Sequence, residues 1–116
     1  MKEFSVDGVS YVPKNQQAEK LAGLEYVIVR STSAGVFAGY MAHRASQTVT
    51  IKQARRLWCW EGAASLSQLA VHGVSKPEKC KFPCEVETII VFDVIEILFV
   101  TKKAKKSIAE VAVWTA

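Results

Sequence analysis

The sequence predicts an α+β domain built on a mainly antiparallel twisted sheet, or a small barrel-like sheet, with two or three short helices. Three observations carry this. β-branched and aromatic residues dominate Glu25 to Trp58 and again Thr88 to Val100, a helical period replaces them over Gly62–Val71 and Lys102–Glu110, and 116 residues suit one hydrophobic core. Residues 1–116 are therefore read as a single domain, with an N-terminal hairpin and a short helix or linker over 1–24 and the main core over 25–116. Half the residues are apolar and no biased tract occurs, which excludes a disordered or collagen-like chain.

Phe4 to Val12 reads as two short strands around Asp7-Gly8, a dipeptide that tolerates positive φ in a two-residue hairpin turn, and Pro13 ends the pair. Asn15 to Ala22 is polar, with Ala18, Leu21 and Ala22 at helical spacing, and forms a short helix or an ordered linker. Glu25–Arg30 and Gly35–Ala42 are strands of a second hairpin, joined by the small polar loop Ser31–Ala34. Thr48 to Trp58 continues as strand, with Val49, Ile51 and Leu57 on one face and Thr50, Lys52, Arg56 and Trp58 on the other. Strict alternation sets Arg55 beside Leu57 on the apolar face. That requires either a bulge near Gln53-Ala54 or a buried, paired arginine, and the bulge is the favoured reading.

Leu66, Leu69 and Ala70 follow i, i+3, i+4 within a helix over Gly62–Val71 that Gly73 is placed to end. Pro77–Pro83 is loop. Thr88–Val100 is nearly continuous Ile, Val, Phe and Leu, as in a strand or strand pair covered on both faces, and is assigned to the core. Lys102–Glu110 forms a short helix with four lysines on its exposed side, and Val111–Trp114 an edge strand.

The net charge of +4 conceals an asymmetry. Residues 1–25 and 85–116 each carry one more acid than base, whereas residues 26–84 set four Arg and four Lys against Glu61 and Glu78 alone. No carboxylate occurs from Tyr26 to Trp60, the stretch that holds Arg30, Arg44, Lys52, Arg55 and Arg56. An anionic partner for this stretch is the expectation, although the excess is too small for a dedicated nucleic-acid binder. The longest apolar run, Ile89–Val100, is broken by Asp93 and Glu96 and falls short of the roughly 20 residues that cross a bilayer. With Glu3 and Asp7 ahead of any apolar run, a secretory leader is not expected either; the reading is a soluble, cytoplasmic protein with no membrane partner. Three cysteines in no framework pattern are read as reduced thiols.

Catalysis is not expected. The acid-free stretch offers no carboxylate pair, and neither His43 nor His72 sits in a nucleophile motif. Cys80 and Cys84 lie at a spacing that zinc accepts, but no second pair accompanies them, so neither a metal nor another cofactor is assigned. Ser33–Gly39 lacks the pattern of a nucleotide-binding glycine loop, and its glycines are read as permitting close strand approach.

The constellation left standing is Arg55-Arg56-Leu57-Trp58-Cys59-Trp60-Glu61-Gly62-Ala63-Ala64-Ser65. A helix starting at Gly62 would present unpaired first-turn amides to an anion, forked guanidinium groups bind phosphate, and indole faces stack on rings. Arg55, Arg56, Trp58, Trp60, Gly62, Ala63 and Ser65, with Arg30, are the candidate ligand-binding residues. The competing reading makes Trp58 and Trp60 core or subunit-interface residues, Gly62-Ala63-Ala64 a close-packing stretch, and Glu61 an ion-pair partner of Arg55 or Arg56.

Arg30–Gly39, Arg55–Ala70, Gly73–Phe82 and the ending from Ser107-Ile108 to Val113-Trp114 resemble a family of small proteins of tailed phages and prophages that is catalogued as a domain of unknown function. The resemblance covers most of residues 26–116 and implies a viral source without catalytic residues. Joined to the residues above, it leads to two expectations. One is a non-enzymatic, homo-oligomeric protein of the host cytoplasm that sequesters a small anionic, nucleotide-like defence signal. The other is a virion accessory or host-protein inhibitor whose basic face meets nucleic acid or an acidic protein.

Overall fold

The computed structural model describes strand backbone at residues 4–6 and 9–11 and the continuous chain from residue 16 to 116. Its elements are strands β1 (Phe4–Val6), β2 (Val9–Tyr11), β3 (Glu25–Ser31), β4 (Gly35–Ala45) and β5 (Thr48–Arg56), helix α1 (Leu66–His72), strands β6 (Val86–Val91) and β7 (Val94–Phe99), and helix α2 (Lys102–Glu110), with a 3₁₀ turn at Pro77–Lys79. This is the expected α+β class. The sheet runs β1-β2-β7-β3-β4-β5-β6, antiparallel throughout except where β2 lies parallel to β7. The Asp7-Gly8 turn, Pro13 and Asn15 lie outside the described residues.

Connectivity bends the sheet. β6 borders β5 and β7 borders β3, so four strand spacings, roughly 19 Å in a flat sheet, separate two strands joined only by Phe92 and Asp93. Three Cα steps reach at most about 11 Å. The sheet therefore curls, and the corner is tied down where Val94 donates its amide to the Gln47 carbonyl at 2.9 Å and Thr32 donates to the Asp93 carbonyl at 3.1 Å. It stays open, because β6 and β7 do not pair.

Each face of the curled sheet carries its own core. Val27, Val29, Phe37, Val49, Ile51, Ala54, Val91, Val94 and Ile97 fill the fold of the sheet upon itself. Tyr26, Ile28, Ala38, Tyr40, Leu57 and Leu98 pack instead against Leu69 and Ala70 of α1 and Ala104 and Ile108 of α2. Period-two alternation along β3 and β4 generates both faces. Gly39 sits where β4 and β5 crowd: a Cβ there would come within 2.8 Å of the Lys52 carbonyl oxygen, which accounts for the close strand approach expected of this glycine.

Along β5 the bulge is present, but it does not do what was expected of it. Gln53 adopts φ 50° and the pairing with β4 slips between Tyr40↔Lys52 and Ala38↔Arg55. The extra residue reverses parity, so Ala54 follows Ile51 onto the inner face while Arg55 and Leu57 turn to the helix side. Leu57 thus shares no face with Val49 and Ile51, and Arg55 is moved from one apolar face to the other. Bulge and buried arginine occur together.

Of the two forms expected for residues 16–22, a short helix or an ordered linker, the linker is present, with the Ala18 amide bonded to the Val100 carbonyl at 2.8 Å. Three further features differ from expectation. β5 stops at Arg56, and Leu57 continues it only by donating to the Val36 carbonyl at 2.9 Å. β6 is an edge strand with Val86 and Ile90 exposed, so its half of the long apolar run gives the core only Val91, with Ile89 partly buried beside it. Past Val111 the chain makes one parallel bridge, Phe82↔Val113, and no strand. The α2 bounds agree with the expected Lys102–Glu110, and among the described residues no helix is long and apolar enough to cross a membrane.

Candidate functional site

Adjacent in sequence, Arg55 and Arg56 face opposite ways and live in different chemistry. Arg55 is 8% exposed and forks across four carbonyls: Nε donates to Pro83 (3.0 Å), Nη1 to Ile108 (2.9 Å), and Nη2 to Phe82 (3.1 Å) and Val111 (2.7 Å). Its guanidinium carbon also lies 5.5 Å from the centre of the Phe82 ring. Two of these acceptors end α2, so the cation meets the negative end of that helix. Burial lowers its pKa, and the Tyr26 and Glu85 side chains act in the opposite direction. With four of the five N–H groups of a guanidinium engaged, Arg55 ties β5, the Phe82-Pro83 segment and α2 together.

Among the described residues Arg56 makes one hydrogen bond, Nη1 to the Ala34 carbonyl at 2.6 Å, and stacks over Phe37 with 4.3 Å to the ring centre. It borders a cleft of about 290 Å³ with Ala34, Gly35, Val36, Leu57, Trp58 and Trp60. Trp58 is 64% exposed there, while Trp60 is half-buried against the helix-side core. The cleft thus brings together three of the candidate residues, Arg56, Trp58 and Trp60. Ala34–Val36 were missed as lining residues, yet hairpin register announces them: β4 and β5 pair at Phe37↔Arg56, which sets the residues before Phe37 beside those after Arg56.

The remaining candidates lie elsewhere. α1 begins at Leu66, not Gly62, because Ser65 caps it: the Ser65 hydroxyl accepts from the Gln68 amide at 3.1 Å, and the Gln68 side chain accepts from the Ala64 amide at 2.7 Å. These bonds engage the Gln68 and Ala64 amides within the chain. Gly62 is a packing point whose carbonyl accepts from the Ser75 amide at 3.2 Å, and Ala63 rests against the helix-side core. Arg30 is exposed and pairs its Nε with Glu96 Oε1 at 3.2 Å. Glu61 pairs with neither arginine within 4 Å; its carbonyl accepts weakly from the Cys80 thiol, whose pKa burial raises. Among the described residues no group of three His, Cys, Asp or Glu side chains is placed to hold a metal ion.

The profile of the family described as Domain of unknown function (DUF6948) matches residues 24–108. The chain belongs to that family. The matched span runs from the start of β3 into α2 and includes the whole Arg56/Trp58/Trp60 cleft, while the Val113-Trp114 ending lies beyond it. No curated protein and no solved structure matches the chain.

Proposed function

We propose that this family member is a non-enzymatic binding protein that captures a small anionic ligand with a flat ring, nucleotide-like in chemistry, in the Arg56/Trp58/Trp60 cleft. One observation carries the reading. Trp58 keeps most of its indole in solvent, where packing does not account for it, beside a guanidinium with four N–H groups that meet no acceptor among the described residues. An indole face receives a ring, and a forked cation receives phosphate. The phage source implied by the resemblance would make that ligand a nucleotide signal of host defence, sequestered in the host cytoplasm.

A thermal-shift screen with mono-, di- and cyclic nucleotides tests this. Stabilisation is expected for the native protein and is lost in Arg56→Ala and Trp58→Ala, both on the cleft rim; a flat response to every nucleotide would sink the reading. The exposed lysines of α2, Lys102, Lys103 and Lys106, favour the second reading, a basic face for nucleic acid or an acidic protein. Nucleic-acid affinity falling steeply with salt and indifferent to Trp58→Ala would select it.

Self-association belongs to the same proposal. Val86 and Ile90 on the edge strand β6, and Phe92 just after it, expose apolar surface that a second copy would cover by antiparallel β6–β6 pairing. Sedimentation should give the mass of a dimer, reduced to that of a monomer by Ile90→Lys; a monomeric native protein removes this part.

A further inference from the structure

A second cavity, of about 260 Å³, opens between the strands β3, β4 and β5 and the end of α2. Tyr26, Tyr40, Gln53, Arg55, Glu85 and Lys105 bring polar groups to it, and Ile108, Ala109, Val111 and Val113 make an apolar wall. The two tyrosines are 8% and 7% exposed and pack edge to face, ring centres 5.1 Å apart. Among the described residues neither hydroxyl has a hydrogen-bond partner, although a buried hydroxyl left unpaired costs on the order of 1–3 kcal/mol. The cavity they line is where such a partner would sit.

Charge points the same way. Lys105 is held over both rings, its Nζ 5.4 Å from the centre of Tyr26 and 5.7 Å from that of Tyr40, and among the described residues no carboxylate lies within 4 Å of it. Arg55 reaches the same cavity with carbonyls as its only hydrogen-bonding partners among the described residues. Against these two cations the described lining sets one carboxylate, Glu85, which leaves that lining with one net positive charge. A phenol keeps its proton at neutral pH and burial pushes the Tyr26 pKa further up, so its hydroxyl is a donor there.

We propose that this cavity binds a small organic monocarboxylate, its carboxylate received by the Tyr26 and Tyr40 hydroxyls and the Lys105 ammonium, and its apolar body laid against Ile108, Val111 and Val113. The single uncompensated charge selects a monoanion over a phosphate monoester, which carries about −1.5 to −2 at pH 7 and would be repelled by Glu85. The volume admits roughly eight waters' worth of ligand, the scale of benzoate or hexanoate.

Calorimetric titration of the full chain with benzoate, hexanoate, inorganic phosphate and benzyl alcohol provides the test. One-site saturable binding is expected for a carboxylate, with phosphate and the uncharged alcohol at least tenfold weaker. Tyr26→Phe and Tyr40→Phe remove only a hydroxyl and should each weaken the carboxylate at least tenfold, as should Lys105→Met on the helix surface, with folding checked by circular dichroism. Trp58→Ala should leave carboxylate binding unchanged, which separates this site from the nucleotide cleft. Absence of saturable carboxylate binding, phosphate binding more tightly, or Phe variants equal to the native protein would each overturn the proposal.

Discussion

Replacing Arg55 by methionine is expected to lower the stability of the domain by about 3–5 kcal/mol, in the range for breaking a buried polar network. Methionine keeps much of the aliphatic volume but leaves the Pro83 and Val111 carbonyls without the Arg55 donor, and takes one of two donors from Phe82 and Ile108, whose carbonyls still accept from the Trp114 amide at 3.0 Å and the Val111 amide at 3.2 Å. Each buried orphan costs about 1–3 kcal/mol, so the two orphaned carbonyls and the two weakened ones together give about 3–5 kcal/mol. Lysine should rescue little, since one ammonium cannot span acceptors that lie on two separate chain segments. Urea unfolding at unchanged m-value measures the loss, and a midpoint within error of the native protein would show that Arg55 does not hold α2 to the sheet. The corresponding Arg56→Met change, at a residue with one hydrogen bond, should stay below about 1 kcal/mol.

The second large effect is expected at Gly62→Ala. Gly62 has φ 88°, where a side chain is strained by roughly 1–2 kcal/mol, and a Cβ would stand 2.5 Å from the Ser75 amide nitrogen and 2.6 Å from that of Lys76. Both close atoms are backbone, so relief requires separating the two segments. The Ser75 amide and hydroxyl, which donate to the Gly62 carbonyl at 3.2 and 3.3 Å, would be lost with it. A destabilisation of about 3 kcal/mol or more follows, with red-shifted Trp60 fluorescence as that side chain leaves the helix-side core. A fully stable Gly62→Ala protein would mean that this loop is free to open, and would return Gly62 to the list of ligand-approach positions.

Glycine-to-alanine changes and arginine truncations of this kind separate what was legible in the chain from what was not. The strands of the β3–β4 hairpin, the period of α1, the bounds of α2 and the α+β class follow from residue type and spacing, because alternation and the helical repeat are local properties. β6 misled for a reason of the same kind. An apolar run reports affinity for a sheet but not position within it, and β6 fell at the open edge. For the candidate site, grouping Arg56, Trp58 and Trp60 was possible from sequence, since a strand end keeps neighbours together. Which side of the sheet each residue meets was not.

That last point separates Arg55 from Arg56. Composition, charge and motif treat them as equals, two arginines in an acid-free stretch before two tryptophans. The bulge at Gln53 assigns them opposite faces, and the acceptors that then meet Arg55 come from residues 82, 83, 108 and 111, far along the chain. Sequence by itself determined that a cluster of cationic and aromatic side chains would stand at the end of β5. Only the tertiary structure decided that one arginine is consumed in holding the fold while the other keeps four N–H groups without an acceptor among the described residues, because hydrogen-bond partners are set by contacts between distant segments and not by neighbours in the chain.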